Sequence, residues 1–282
     1  VAGAPSITAD SPWLQSFEET LLELAYGAPL LDLLSAFNAR AQRDGMCTGD
    51  GQPLQFVQAA MQPAHIDYES WIAQTGCVPT RDNLHDRLNA LIWLHAPMSK
   101  AHLNGVQAAR IGAEGLARGP IRDALTLVDE NLLVLAHTSG PDPRDADGWS
   151  SLFVDHQQHW LTDWHPMPFG HALLEKLKQP FKAIAAHSLV VRVAEPAWAA
   201  ADRALLEQLE HAQEHGGPRP QQLWPVPVMG IPGWSPAQVQ TNFYSDASVF
   251  RPMVHQTGAG RTRRGSLGGN LVAKGSIDTM AS

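Results

Sequence analysis

The residues best suited to chemistry lie in Val78-Pro-Thr-Arg-Asp-Asn-Leu-His-Asp-Arg-Leu-Asn-Ala-Leu-Ile-Trp-Leu-His-Ala-Pro97. At about 100° per residue, Leu84, Leu88, Leu91, Ile92 and His95 span one arc of a helix. His85, Asp86, Asn89 and Trp93 fill the neighbouring arc, with Asp82 in the first turn. Such a helix buries an apolar face and presents His, Asp and Asn at its border. Histidine and aspartate carry protons and ligate metals, and i, i+4 partners on a helix reach one ion. His85, Asp86 and Asn89 are therefore candidate catalytic residues, with Arg81 as a candidate anion-binding partner. The alternative is helix capping and ordinary hydrogen bonding, with Arg81 paired to an acidic group. His95 sits inside the apolar arc and reads as a core histidine.

A second cluster is richer in imidazole. The chain holds 13 histidines, and His156, His159, His165, His171 and His187 lie close in sequence. His171 and Glu175 are i, i+4 on a predicted helix whose other side carries Leu173, Leu174 and Leu177. With His187 from the next strand they form a candidate ligand set for a divalent metal, zinc or manganese. A solvated polar face that includes Lys178 is the competing reading. Asp129-Glu130 either adds carboxylates to this site or makes a turn.

Three weaker patterns fail on their own terms. His211-Ala-Gln-Glu214-His215 has the inverted zinc-protease spacing, but no glutamate follows His215 to complete the site. Asp142, Asp145 and Asp147 precede Gly148, yet the calcium register puts Pro143 at position one and Val154 at position twelve. Gly258-x-Gly260 follows no strand and opens no helix. No phosphate loop, Gly-x-Ser-x-Gly elbow or Cys-His nucleophile pattern occurs.

The elements that must position these residues are mostly helical. Helices are predicted at Pro12 to Tyr26, Leu30 to Arg43, Tyr68 to Gln74 and Asn83 to Leu94, the last capped by Asp82 and closed by Pro97. Pro79 makes Val78 to Arg81 extended. Ala124 to Val128 and Leu132 to His137 read as two strands of a hairpin around Asp129-Glu130-Asn131. Helices follow near Trp149 to Trp160 and Phe169 to Lys178, then a strand at Ile184 to Val193 and a helix at Ala197 to His215 ending in Gly216-Gly217-Pro218. From Arg219 to Pro252 prolines and aromatics predict an irregular wrap. The expected architecture is a helix-rich α+β single domain with a small sheet, over residues 11–252. A flexible start (1–10) and a disordered basic tail (253–282) flank it.

Composition narrows the function classes. Hydrophobic residues make up 44% of the chain and charged residues 17%, which excludes a disordered protein. No run approaches the roughly 18 apolar residues of a membrane helix. Val1 to Asp10 lacks a basic start and an apolar run, which disfavours a secretory signal. Cys47 and Cys77 give no disulfide framework, so a reducing bacterial cytoplasm is the expected location. The net charge is -8; Arg261, Arg263, Arg264 and Lys274 against Asp278 give the tail +3, leaving the preceding body at -11. An acidic body disfavours broad nucleic-acid binding and favours a small cation site.

The chain resembles a proteobacterial family of uncharacterised proteins, domain of unknown function 3025. The motifs are Tyr68-Glu69, Gly76-x-Val78-Pro-Thr-Arg81, Asn83-x-His85-Asp86-x-x-Asn89-Ala-Leu-x-Trp93-Leu94 and Pro97-x-x-Lys100-x-x-Leu103-Asn104. They continue with Leu125-Thr126, Asp129-Glu130-Asn131, Phe169-Gly-His171-Ala-Leu-Leu-Glu175-Lys176, Gly230-Ile-Pro-Gly-Trp234, Phe243-Tyr244 and Phe250-Arg251-Pro252. Leu84 stands where a tryptophan is expected, and Leu132 where a glycine is expected. The resemblance implies one domain from Ser11 to Pro252 and no activity.

Two functions follow. In the first, a metal-dependent hydrolase of phosphoesters, nuclease-like in its chemistry, uses His85 or Asp86 as base or ligand, and His171, Glu175 and His187 hold the ion. In the second, the chain is a non-enzymatic protein that binds a small ligand or a partner protein. Its polar motifs are then structural, and Trp224, Trp234, Phe243 and Tyr244 line a groove. Convergence of His85, Asn89, His171 and Glu175 discriminates between them.

Overall fold

The computed structural model describes residues 11–114, 119–149, 151–220 and 223–250. The expected flexible start and basic tail lie outside the described residues. The architecture is α+β. Helices α1 (Glu19–Gly27), α2 (Leu30–Arg43) and α3 (Tyr68–Thr75) alternate with β1 (Gln55–Gln58) and lead into β2 (Cys77–Thr80). Strands β1 and β2 pair in parallel, with Phe56 opposite Val78. Gly76 ends α3 at φ +71, with its backbone so close to the Pro53 carbonyl that a Cβ would lie 2.2 Å from the oxygen.

Then come α4 (Leu84–His95), α5 (Pro97–Glu114), α6 (Pro120–Asn131), β3 (Leu132–His137), β4 (Trp164–Pro168), α7 (His171–Lys176), β5 (Ala185–Arg192), α8 (Trp198–Glu214) and β6 (Trp224–Pro227). The main sheet has the order β4-β3-β5-β6, parallel only between β3 and β5. All six residues of β3 are buried, as befits an inner strand. Pro225 and Pro227 lie in β6 at the sheet edge, where a missing N–H is tolerated. That strand is more regular structure than the expected wrap contained.

Helix α4 is the hub. It packs against α1, α2, α5, α7 and α8, so Asp86 through Leu94 are buried without a break. Asp86, Asn89 and Trp93 of the expected border are therefore enclosed, while His85 keeps partial exposure. The helix cap is Asn83, whose side chain accepts from the Asp86 N–H at 2.8 Å. Asp82, the expected cap, instead pairs with Arg87. Pro97 does close α4, and it also opens α5, where its missing N–H costs nothing.

The expected hairpin is overturned. Ala124, Leu125 and Val128 are the buried face of helix α6, which starts at Pro120 and runs directly into β3. Their i, i+1, i+4 spacing suits a helix face, and a five-residue segment with four apolar residues does not by itself separate strand from helix. The change matters because it places Asp129 in the last turn of a helix.

Two predicted helices are broken. The first divides into a 3-10 turn at Pro12–Leu14 and α1, because the Glu18 N–H donates to His95 Nε2 at 3.2 Å and a tertiary bond starts the helix there. Trp149 to Trp160 holds a wide turn at Ser151–Asp155 and a 3-10 turn at Gln157–His159. The stacking of Phe153 on Trp149 and Trp160, at 5.8 and 5.5 Å, sets that path.

Candidate functional site

The site begins at the N-terminal end of α4. Arg81, just past β2, closes on Asp86: its backbone N–H, Nε and Nη2 donate to the two carboxylate oxygens at 2.8, 2.9 and 2.9 Å. The Arg81 side chain stays 67% exposed while that of Asp86 is 9% exposed. This clasp holds the first turn of α4, which carries His85, the residue before Asp86.

Helix α7 meets that turn. Its entry is fixed by the Phe169 and Gly170 N–H groups, which donate to the Leu132 carbonyl at 3.0 and 2.9 Å. Gly170 is required by space: a Cβ there would lie 2.5 Å from Asn131 N and Glu130 O. The tight passage seats His171 against the end of α6, where His171 Nδ1 lies 2.9 Å from the Asp129 carbonyl oxygen. His171 Nε2 lies 3.0 Å from His85 Nε2, with the two rings nearly perpendicular at 79°. One turn along α7, Glu175 Oε2 lies 2.9 Å from His85 Nδ1. His171 is buried, and burial brings its pKa down to about 4. The His85 side chain is 37% exposed and opens the pair to solvent.

Behind the pair lies a buried polar layer. Lys100 Nζ donates to Asn89 Oδ1 at 2.8 Å and pairs with the Asp129 carboxylate. Asn89 Nδ2 in turn donates to the Tyr68 hydroxyl at 2.8 Å. Burial opposes ionisation of Asp129, yet the charge of Lys100 and the neighbouring His171 hold its carboxyl below the ordinary value. Glu69 responds the other way. Burial and the charge of Asp129 raise it to about 7, against a 2.7 Å bond from Asn104 Nδ2. Burial, with Glu69 and Asp129 close by, also pushes the Tyr68 hydroxyl well above its usual range.

The family described as Protein of unknown function (DUF3025) matches residues 54–254, a span that contains every residue of this cluster. The chain belongs to that family. No curated protein and no solved structure matches the chain. In this DUF3025 chain the family motifs quoted above meet in space: Tyr68, Asn89, Lys100, Asp129, His171, His85 and Glu175 form one hydrogen-bonded chain, and Glu69, next to Tyr68, bonds Asn104. No helix of the described residues is long and apolar enough to cross a membrane.

The candidate residues divide accordingly. His85, Asn89, His171 and Glu175 fall into one hydrogen-bonded chain through Lys100 and Asp129. Arg81 and Asp86 orient the helix carrying it. His187 lies apart at the start of β5, bonded to Asn131 at 3.2 Å, and shares no common ligand point with His171 and Glu175. Among the described residues only His211, Glu214 and His215 bring three ligand atoms within 4.8 Å of one another, on the exposed end of α8. Tyr68, Glu69, Lys100 and Asn104 escaped sequence reasoning as site residues. The i, i+4 spacing of Lys100 and Asn104 was the available signal.

Proposed function

We propose that this chain is a hydrolase whose reacting centre is the His85–His171 pair. The observation that carries the reading is the Nε2–Nε2 approach of 3.0 Å at a solvent-facing imidazole. The Asp129 carbonyl only accepts, so His171 Nδ1 carries hydrogen and its neutral ring offers Nε2 as a lone pair. His85 stands between that lone pair and the Glu175 carboxylate, and the two neighbours fix the orientation of its ring. A group so placed takes a proton from an attacking water and returns it to a leaving group, which is worth about 10²–10⁴ in rate. Phosphoesters are the favoured substrates because the largely exposed Arg81 guanidinium, clasped to Asp86, lies four residues before His85 in the chain.

The reading in which the chain binds a ligand or partner without catalysis draws on the burial of Lys100, Asn89 and Asp129, as expected of a network that fixes a core. One experiment decides. The purified chain is assayed with p-nitrophenyl phosphate, its bis-ester and p-nitrophenyl acetate, beside His85→Ala. Turnover by the parent that falls about a hundredfold in the variant supports the hydrolase. No turnover of any substrate, or equal turnover by the variant, removes it.

A further inference from the structure

Both histidines of the pair are held from behind, and this has a consequence for what lies between them. His171 Nδ1 faces the Asp129 carbonyl at 2.9 Å and His85 Nδ1 faces the Glu175 carboxylate at 2.9 Å. Each acceptor calls for hydrogen on Nδ1, which leaves both Nε2 atoms as lone pairs. Two lone pairs 3.0 Å apart repel unless a positive species sits against both. We infer that this species is a divalent transition-metal ion, with zinc as the fitting chemistry, ligated by Nε2 of His85 and of His171.

Three features support the assignment. Nitrogens each about 2.0–2.1 Å from one ion, at angles of 90–110°, lie roughly 2.9–3.4 Å apart, which brackets the separation found. A straight N–H···N bond, the favoured hydrogen-bond geometry, would set the ring centroids roughly 5.3 Å apart. They lie 4.4 Å apart, so the rings converge on a point to one side of the nitrogen–nitrogen line. The partners on Nδ1, a carboxylate for one ring and a backbone carbonyl for the other, are those that orient metal-binding histidines and raise their basicity.

Charge agrees as well. Glu175 and Asp129 against Lys100 leave one net negative charge around the pair. Among the described residues no third His, Cys, Asp or Glu atom completes a close ligand trio with the two nitrogens. The remaining positions thus fall to water or substrate, the arrangement of a catalytic rather than a structural ion. Compared with the ligand set read from sequence, His171 remains, His85 replaces His187, and Glu175 moves behind His85 as its orienting partner. The inference deepens the hydrolase reading and rests on the same pair: with His85 Nδ1 on Glu175 and Nε2 on the ion, the ion would activate its own bound water in place of His85 acting as base.

The test measures zinc bound to the folded chain. The His211→Ala/His215→Ala background removes the exposed trio on α8, and the protein is stripped with chelator and dialysed against zinc. One equivalent per chain is expected, with a raised thermal midpoint. His85→Ala should lose the equivalent, and Glu175→Ala, at a surface position whose loss leaves the core intact, should weaken it about 10–100-fold. Circular dichroism checks that each variant is folded. No zinc on the folded background protein, or undiminished binding by both variants, overturns the inference. Hydrolysis that survives chelation would defeat the metal and spare the hydrolase; bound zinc without hydrolysis of the ester panel would do the reverse.

Discussion

His85 and His171 are 86 positions apart in the chain, yet their Nε2 atoms lie 3.0 Å from one another at the junction of α4 and α7. Each ring reaches that point from a constrained helix start: Asn83 and the Arg81–Asp86 clasp hold one, Gly170 against the end of α6 holds the other. The site therefore depends on three helix ends meeting, and most of its vulnerabilities lie there.

Gly170→Ala should disrupt the pair without touching either histidine. The added Cβ meets backbone atoms of Glu130 and Asn131, which cannot swing aside as a side chain would. A cost of about 1–3 kcal/mol is expected from overpacking. Urea unfolding should show that loss, and zinc binding should fall with it. Unchanged stability would mean that α7 has room to slide.

Lys100→Met leaves the Asp129 carboxylate buried without its partner. Breaking a buried pair from one side costs about 3–5 kcal/mol. Adding Asp129→Asn should recover much of this, because the stranded charge is then gone. A double-mutant cycle by chemical unfolding measures the coupling. Additive losses would show that the two side chains do not depend on one another.

His95 should make the fold acid-sensitive. Its Nε2 accepts from the Glu18 N–H and its Nδ1 lies 2.9 Å from the Leu91 carbonyl, so the ring is held neutral; burial brings its pKa down to about 4. An unfolded histidine takes up its proton near pH 6.5, so stability present above that value is lost as pH falls towards about 4. Between pH 7 and pH 5 the loss is about 2 kcal/mol. His95→Gln should show a flatter profile over this range, and parallel profiles would refute the assignment.

Glu69 acts in the opposite sense. Its folded pKa is raised to about 7 from an ordinary 4.5, so the folded chain binds a proton that the unfolded chain has released. Its contribution is complete below pH 4.5 and lost as pH rises through 7. Glu69→Gln keeps a neutral acceptor for Asn104 and should raise stability by about 3 kcal/mol at pH 8, with no gain at pH 4. Thermal midpoints at the two pH values provide the check.

Much of this arrangement was legible in the residues. The α4 periodicity put His85 and Asn89 on one side of a helix, and i, i+4 spacing put His171 and Glu175 together on α7. The apolar run of β5 and the Gly-Gly end of α8 were equally local and equally plain. Such features depend on hydrogen bonds and side-chain rows within one segment, which short-range spacing encodes.

Other features rested on tertiary partners. The segment 124–128 is helix rather than strand, because α6 has its buried face against the sheet and its last turn against α7. That choice turned Asp129 from a hairpin residue into the partner of Lys100 and His171. His187 was near His171 in sequence but pairs with Asn131, while distant His85 reached the site. Spacing along a chain orders side chains on one element. Which elements face each other depends on how α4, α6 and α7 share the burial of their apolar faces, and that packing selected the histidines that meet.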